Sequence, residues 1–146
     1  MRNSTIDFSE LAQYGNFNEL SLTIYHFCPF KLTPFSVTND GLKNDGCDYR
    51  IIIEGNELER YTELLTQLDD IVLTPVEQES YIDARLYYIF EHRRSGATFS
   101  VAMSGHNYSM FVNGNEVERN DTLYDVIMPF LPDDLAQELQ TYIERN

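Results

Sequence analysis

Positive charge is scarce in this chain. Ten Lys and Arg stand against 24 Asp and Glu, a formal net charge of -14 on 146 residues, and the pI is near 4.3. A surface of that sign repels the phosphates of nucleic acids and the head groups of anionic lipids, and it draws in cationic partners over long range. Neither nucleic acid nor a membrane is therefore an expected partner. Cysteine is nearly missing as well: Cys28 and Cys47 alone build no disulfide framework. No apolar run approaches the roughly 20 residues of a membrane-spanning helix. The opening stretch Met1-Arg2-Asn3-Ser4-Thr5-Ile6-Asp7 lacks the apolar segment of a signal peptide. A cytoplasmic protein with reduced thiols is the expectation. Tryptophan is absent, which by itself excludes no function.

Catalytic signatures are missing too. No glycine-rich phosphate cradle and no nucleophile-elbow serine occurs. Asn113, Asn115, Glu116 and Glu118 resemble the start of an oxygen-rich calcium loop, but their spacing is not that of an EF-hand, and a hairpin turn accounts for them. With so many carboxylates, chance proximity makes any one pair uninformative as a catalytic acid and base.

What is present is the material of a folded core. Hydrophobic residues make up 42% and aromatics 13% of the chain, too much for a disordered acidic tail. The length suits one domain, and we expect a single α+β domain over residues 1–146. Residues 1–19 read as a short helix or a packed arm. Residues 20–30 alternate, with Leu20, Leu22, Ile24 and His26 on one side of a strand that Pro29 ends or places at an edge. Asn39-Asp40-Gly41 and Asn44-Asp45-Gly46 punctuate a loop. The β-branched run Ile51-Ile52-Ile53 marks a second strand.

The clearest helix comes next. Asn56 with Glu59 has the pattern of a capping box, and Leu58, Tyr61, Leu64, Leu65, Leu68 and Ile71 form an apolar stripe at helical spacing. Residues 84–118 predict a β-meander: strands at 86–90, 97–103, 108–112 and 115–118, with Asn113-Gly114 as the strongest hairpin signal. The C-terminal part predicts a helix capped by Asn120 or Asp121, strained at Pro129 and stopped at Pro132. A last helix follows, capped by Asp133. The expected architecture is an antiparallel sheet of about five or six strands with helices on one face.

Three constellations carry chemistry-bearing side chains. His26, Cys28 and Cys47 are one ligand short of a structural zinc site, and buried cysteines often act as small hydrophobes. Neither a metal nor a cofactor is expected. His26 and Cys28 share a strand face, but nothing nearby would activate the thiol. The basic pair in Glu91-His92-Arg93-Arg94 is expected to neutralise neighbouring carboxylates; a small-anion site is the alternative.

The acids are unevenly spread. Residues 54–83 hold nine acids against Arg60 alone, a net of eight negative charges in thirty residues. A second group of eight acids spans residues 116–144, with Arg119 inside it and Arg145 beyond it. A solvated face that keeps the protein soluble accounts for part of this. Concentrating one sign raises self-repulsion, which a cationic partner relieves. The leading expectation is a non-enzymatic acidic module that binds a basic protein such as a nuclease, in the manner of an inhibitor or immunity protein. Its partner-binding residues would be Glu57, Glu63, Asp69, Asp70, Glu77 and Glu79, with Tyr61, Tyr81, Tyr87 and Tyr108 as candidate aromatic anchors. One alternative is an enzyme or small-molecule binder with a pocket on the sheet lined by Tyr87, Ile89 and Phe99. The other is a homodimer joined through an edge strand or an aromatic face.

Overall fold

The computed structural model of the protein describes residues 19–26, 49–68, 71–77, 84–94, 96–104 and 109–144. Among these residues, six strands form one antiparallel sheet: β1 (Leu20–His26), β2 (Tyr49–Ile53), β3 (Ala84–His92), β4 (Thr98–Ser104), β5 (Met110–Val112) and β6 (Asn115–Val117). Their order is β2-β1-β3-β4-β5-β6. The class is α+β, with the expected antiparallel sheet and helices. The first turn region and its two Asp-Gly pairs lie outside the described residues, as do Pro29, Cys28 and Cys47.

The period of two in the sequence becomes the two faces of the sheet. Along β1, Leu20, Leu22, Ile24 and His26 are buried and the residues between them half-buried. Register carries this face across the sheet. Leu22 sits beside Ile53 and Phe90, and Ile24 beside Ile51 and Tyr88. Phe90 pairs with Phe99, and Tyr88 with Val101; Val101 pairs in turn with Val112. On the opposite face Ala84, Tyr87, Ala102 and Phe111 form a smaller buried cluster, with Tyr25 and Ile89 against it. All seven residues of β4 are buried, so the centre of the sheet is covered on both faces.

The β5–β6 hairpin forms as predicted. Asn113 and Gly114 have φ values of +52° and +87°, the left-handed pair that a two-residue turn requires. Asn113 also anchors the turn: Ser100 N–H donates to its side-chain Oδ1 at 3.0 Å, and its own N–H donates to the Ser100 carbonyl at 2.9 Å.

The predicted long helix is broken. Helix α1 (Gly55–Leu58) is followed by a 3-10 turn (Glu59–Tyr61), helix α2 (Thr62–Leu65) and a second 3-10 turn (Thr66–Leu68). The Thr62 and Thr66 hydroxyls donate to the Glu59 and Glu63 carbonyls at 2.7 and 3.0 Å, a local competition that bends helices. Tyr61 itself leaves helical geometry, at φ -116° and ψ 25°. The capping box is also absent. The N-cap is Glu54, and Asn56 lies inside the first turn. The stripe survives because both helix types return a side chain to the same face every three to four residues. Leu58, Leu65 and Leu68 are buried in the main core; Tyr61, Leu64 and Ile71 pack against it half-buried.

Two more helices complete this layer: α3 (Thr122–Asp125) and α4 (Asp133–Glu144), with a 3-10 turn (Met128–Phe130) between them. Pro129 lies in that turn, where its missing N–H costs little. Asp133 is the first residue of α4 and not its cap. The Pro132 carbonyl accepts from Ala136 N–H at 2.9 Å. Two buried tyrosines tie this layer to the sheet. The Tyr88 hydroxyl donates to the Leu123 carbonyl at 2.7 Å, and the Tyr142 hydroxyl to the Ser104 carbonyl at 2.8 Å. Among the described residues no helix is long and apolar enough to cross a membrane.

Candidate functional site

The helical layer sets the geometry of the acidic surface. Leu58, Leu65 and Leu68 from one segment share a core with Leu123, Ile127, Leu135 and Leu139 from the other. Both segments therefore cover the same face of the sheet. The Tyr61 and Phe130 rings meet edge-on, with centroids 4.7 Å apart, so the two segments lie side by side. Turning apolar side chains inward leaves the acids outside: Glu57, Glu59 and Glu63 of the first segment, and Asp125, Asp133 and Asp134 of the second, are all exposed. Glu59 and Glu63, with Arg60, Tyr61, Thr62 and Leu64, line an open groove of about 460 Å³.

The six predicted contact residues divide into three groups. Glu57 and Glu63 are exposed on the helical layer. Glu77 is exposed but lies elsewhere, at the end of the extended stretch 71–77 that runs along β6. There Val76 N–H donates to the Glu116 carbonyl at 3.4 Å. Asp69, Asp70 and Glu79 fall outside the described residues. Glu59, Asp125, Asp133 and Asp134 join Glu57 and Glu63, although the sequence pattern does not single them out. The pattern gives Glu59 a capping role, and the other three belong to a segment that only the tertiary fold brings beside the first. Of the aromatic candidates, Tyr61 is half-buried against Phe130. Tyr87 is buried in the second cluster and offers no surface anchor; Tyr81 and Tyr108 lie outside the described residues.

The ion pairs among the described residues involve other acids. Arg93 binds the Glu54 carboxylate, and Glu19 takes both Arg94, at 3.3 Å, and His92, at 3.2 Å. The expected neutralising role of the basic pair is what the contacts show. Arg119 pairs with Asp121 at 2.7 Å. Glu57, Glu59, Glu63, Asp125, Asp133 and Asp134 take part in no ion pair among the described residues, so their charge faces solvent.

His26 is buried, with Nε2 3.2 Å from Oε1 of Glu138 on α4. The carboxylate thus meets the strand residue that the sequence grouped with Cys28 and Cys47. Among the described residues no group of three or more His, Cys, Asp or Glu is placed to hold a metal. The pocket envisaged on the sheet is not built as predicted. Phe90 pairs with Phe99 and Ile89 with Ser100, so Phe99 faces the helices while Tyr87 and Ile89 face the other way. Which residues of β4 share a face with Tyr87 depends on strand register, which the local sequence does not carry.

No protein-family model, no curated protein and no solved structure matches this chain.

Proposed function

We propose that the protein is a non-enzymatic acidic binding module whose helical layer docks on a basic protein surface, the cationic groove of a nuclease being the chemistry that fits it. One observation carries this reading: six exposed carboxylates from two sequence-distant segments lie on one layer, and no described cation pairs with any of them. A surface built only for solubility does better with both signs interspersed. The groove beside Tyr61 adds an aromatic edge next to the carboxylates, a combination suited to Arg and Lys side chains.

Charges of this kind act mainly on the rate of association, and salt screens them. The immobilised chain should therefore capture basic proteins at low salt and release them at high salt. With a captured protein in hand, association is timed by stopped flow across a salt series. Reversing Glu57, Glu59 and Glu63 to Lys should slow association about tenfold or more at low salt and little at high salt. The fold is retained because none of the three is buried. Equal rates for the wild type and the triple variant at low salt would remove this layer as the docking surface.

A further inference from the structure

The two outer edges of the sheet differ. Along β6 runs the stretch 71–77. Pro75 bridges Val117, and Glu118 N–H donates to the Thr74 carbonyl at 2.7 Å. Proline on that added edge cannot donate to a further strand. At the opposite end, β2 has β1 as its one neighbour among the described residues. In an antiparallel pair every second residue turns its N–H and C=O away from its neighbour. β2 is thus a template for another strand. It also exposes large apolar side chains, Ile52 at 54% and Tyr49 at 50%.

We propose that β2 pairs antiparallel with β2 of a second copy of this chain, about a two-fold axis through Ile52. The strand is complementary to itself in that register. Arg50 and Glu54 stand two residues to either side of Ile52, so Arg50 falls opposite Glu54 of the second copy, and the reverse pair forms too. All three alternate positions share one side of the pleat and are exposed. Glu54 follows β2 with extended backbone, at φ -82° and ψ 158°, so it continues the alternation. The register sets Ile52 against its own copy between two opposite-charge pairs, and Ile51 against Ile53 on the core side. Arg50 makes no ion pair among the described residues. Glu54 already accepts from Arg93, and a carboxylate has a second oxygen for another guanidinium. The charges that would otherwise guard this edge become its means of self-recognition.

The net charge of -14 per copy opposes the pairing. That repulsion is long-ranged at low salt and fades as the Debye length shortens from about 30 Å at 0.01 M to about 8 Å at 0.15 M. Self-association strengthens over this range, whereas docking on a cationic protein weakens, so the two surfaces are told apart by the sign of their salt dependence.

Sedimentation of the full chain over a dilution series, at both ionic strengths, tests the proposal. The wild type should move from one chain's mass towards two as concentration rises. Arg50→Glu should weaken the dimer about tenfold, because it makes both cross-strand pairs repulsive. Ile52→Lys should abolish the dimer. The double swap Arg50→Glu with Glu54→Arg should restore it to within about threefold of the wild type. Thermal melts confirm that each variant is folded. A wild type that stays monomeric overturns the proposal, as does a dimer indifferent to Ile52→Lys or a double swap that fails to restore pairing.

Discussion

Tyr88 shows how much one side chain can decide. It is fully buried on the helix-covered face, and its hydroxyl reaches the Leu123 carbonyl across the layer boundary. Burial, and then the neighbouring Tyr124, push its phenol well above the ordinary value near 10. The folded state therefore resists ionisation that the unfolded chain accepts. Its contribution to stability is full below about pH 10 and falls as pH climbs from there towards the folded-state value. An ultraviolet titration of the ten tyrosines should show at least one that does not ionise until the fold is lost. If every tyrosine titrates with the native fold intact, this burial is misassigned. At this scale the sequence was legible where a side chain's surroundings are local. It marked Asn113 and Gly114 as a turn because positive φ is cheap there. It could not show that Tyr88 would meet a carbonyl thirty-five positions away.

Among elements, the segment from α1 to the turn at Leu68 separates pattern from regularity. Its apolar stripe was readable because burial against the sheet needs only a periodic face. Its interruptions were not, because two threonine hydroxyls and the Tyr61 backbone override helix propensity within a few residues. The consequence is graded burial. Leu65 and Leu68 are sealed in the core, while Leu64 is half-buried at its margin. Leu65→Ala and Leu68→Ala should each cost about 2 to 5 kcal/mol, and Leu64→Ala clearly less, as judged by denaturant melts. Similar losses at all three positions would mean a regular helix with a wider buried face. The same break changes the acidic surface. Glu57, Glu59 and Glu63 stand on successive short turns and not along one rigid rod, and Tyr61 turns towards Phe130 between them.

For the whole molecule, charge is the dominant quantity. With -14 on 146 residues, self-repulsion works against the compact state, and salt relieves it. The melting temperature should rise between about 0.01 and 0.15 M NaCl, where the Debye length falls from about 30 to 8 Å. A flat or falling trend would show that the arginine ion pairs at Glu19 and Glu54 outweigh the repulsion between unpaired acids. By itself the sequence determined that excess of charge, the places of the described strands, the Asn113-Gly114 turn and the inward-facing leucines. Each follows from composition or from periodicity over a few neighbours. Only the tertiary structure decided which distant pieces meet. Strand register turned Phe99 away from Tyr87 and Ile89. Packing on a common core set Asp125, Asp133 and Asp134 beside Glu57, Glu59 and Glu63. Among the described residues, strand order left β2 outermost with Ile52 exposed while the 71–77 stretch covered β6. These outcomes depend on contacts between residues far apart in the chain, and hydrophobic periodicity specifies which side of an element is buried without specifying what it is buried against.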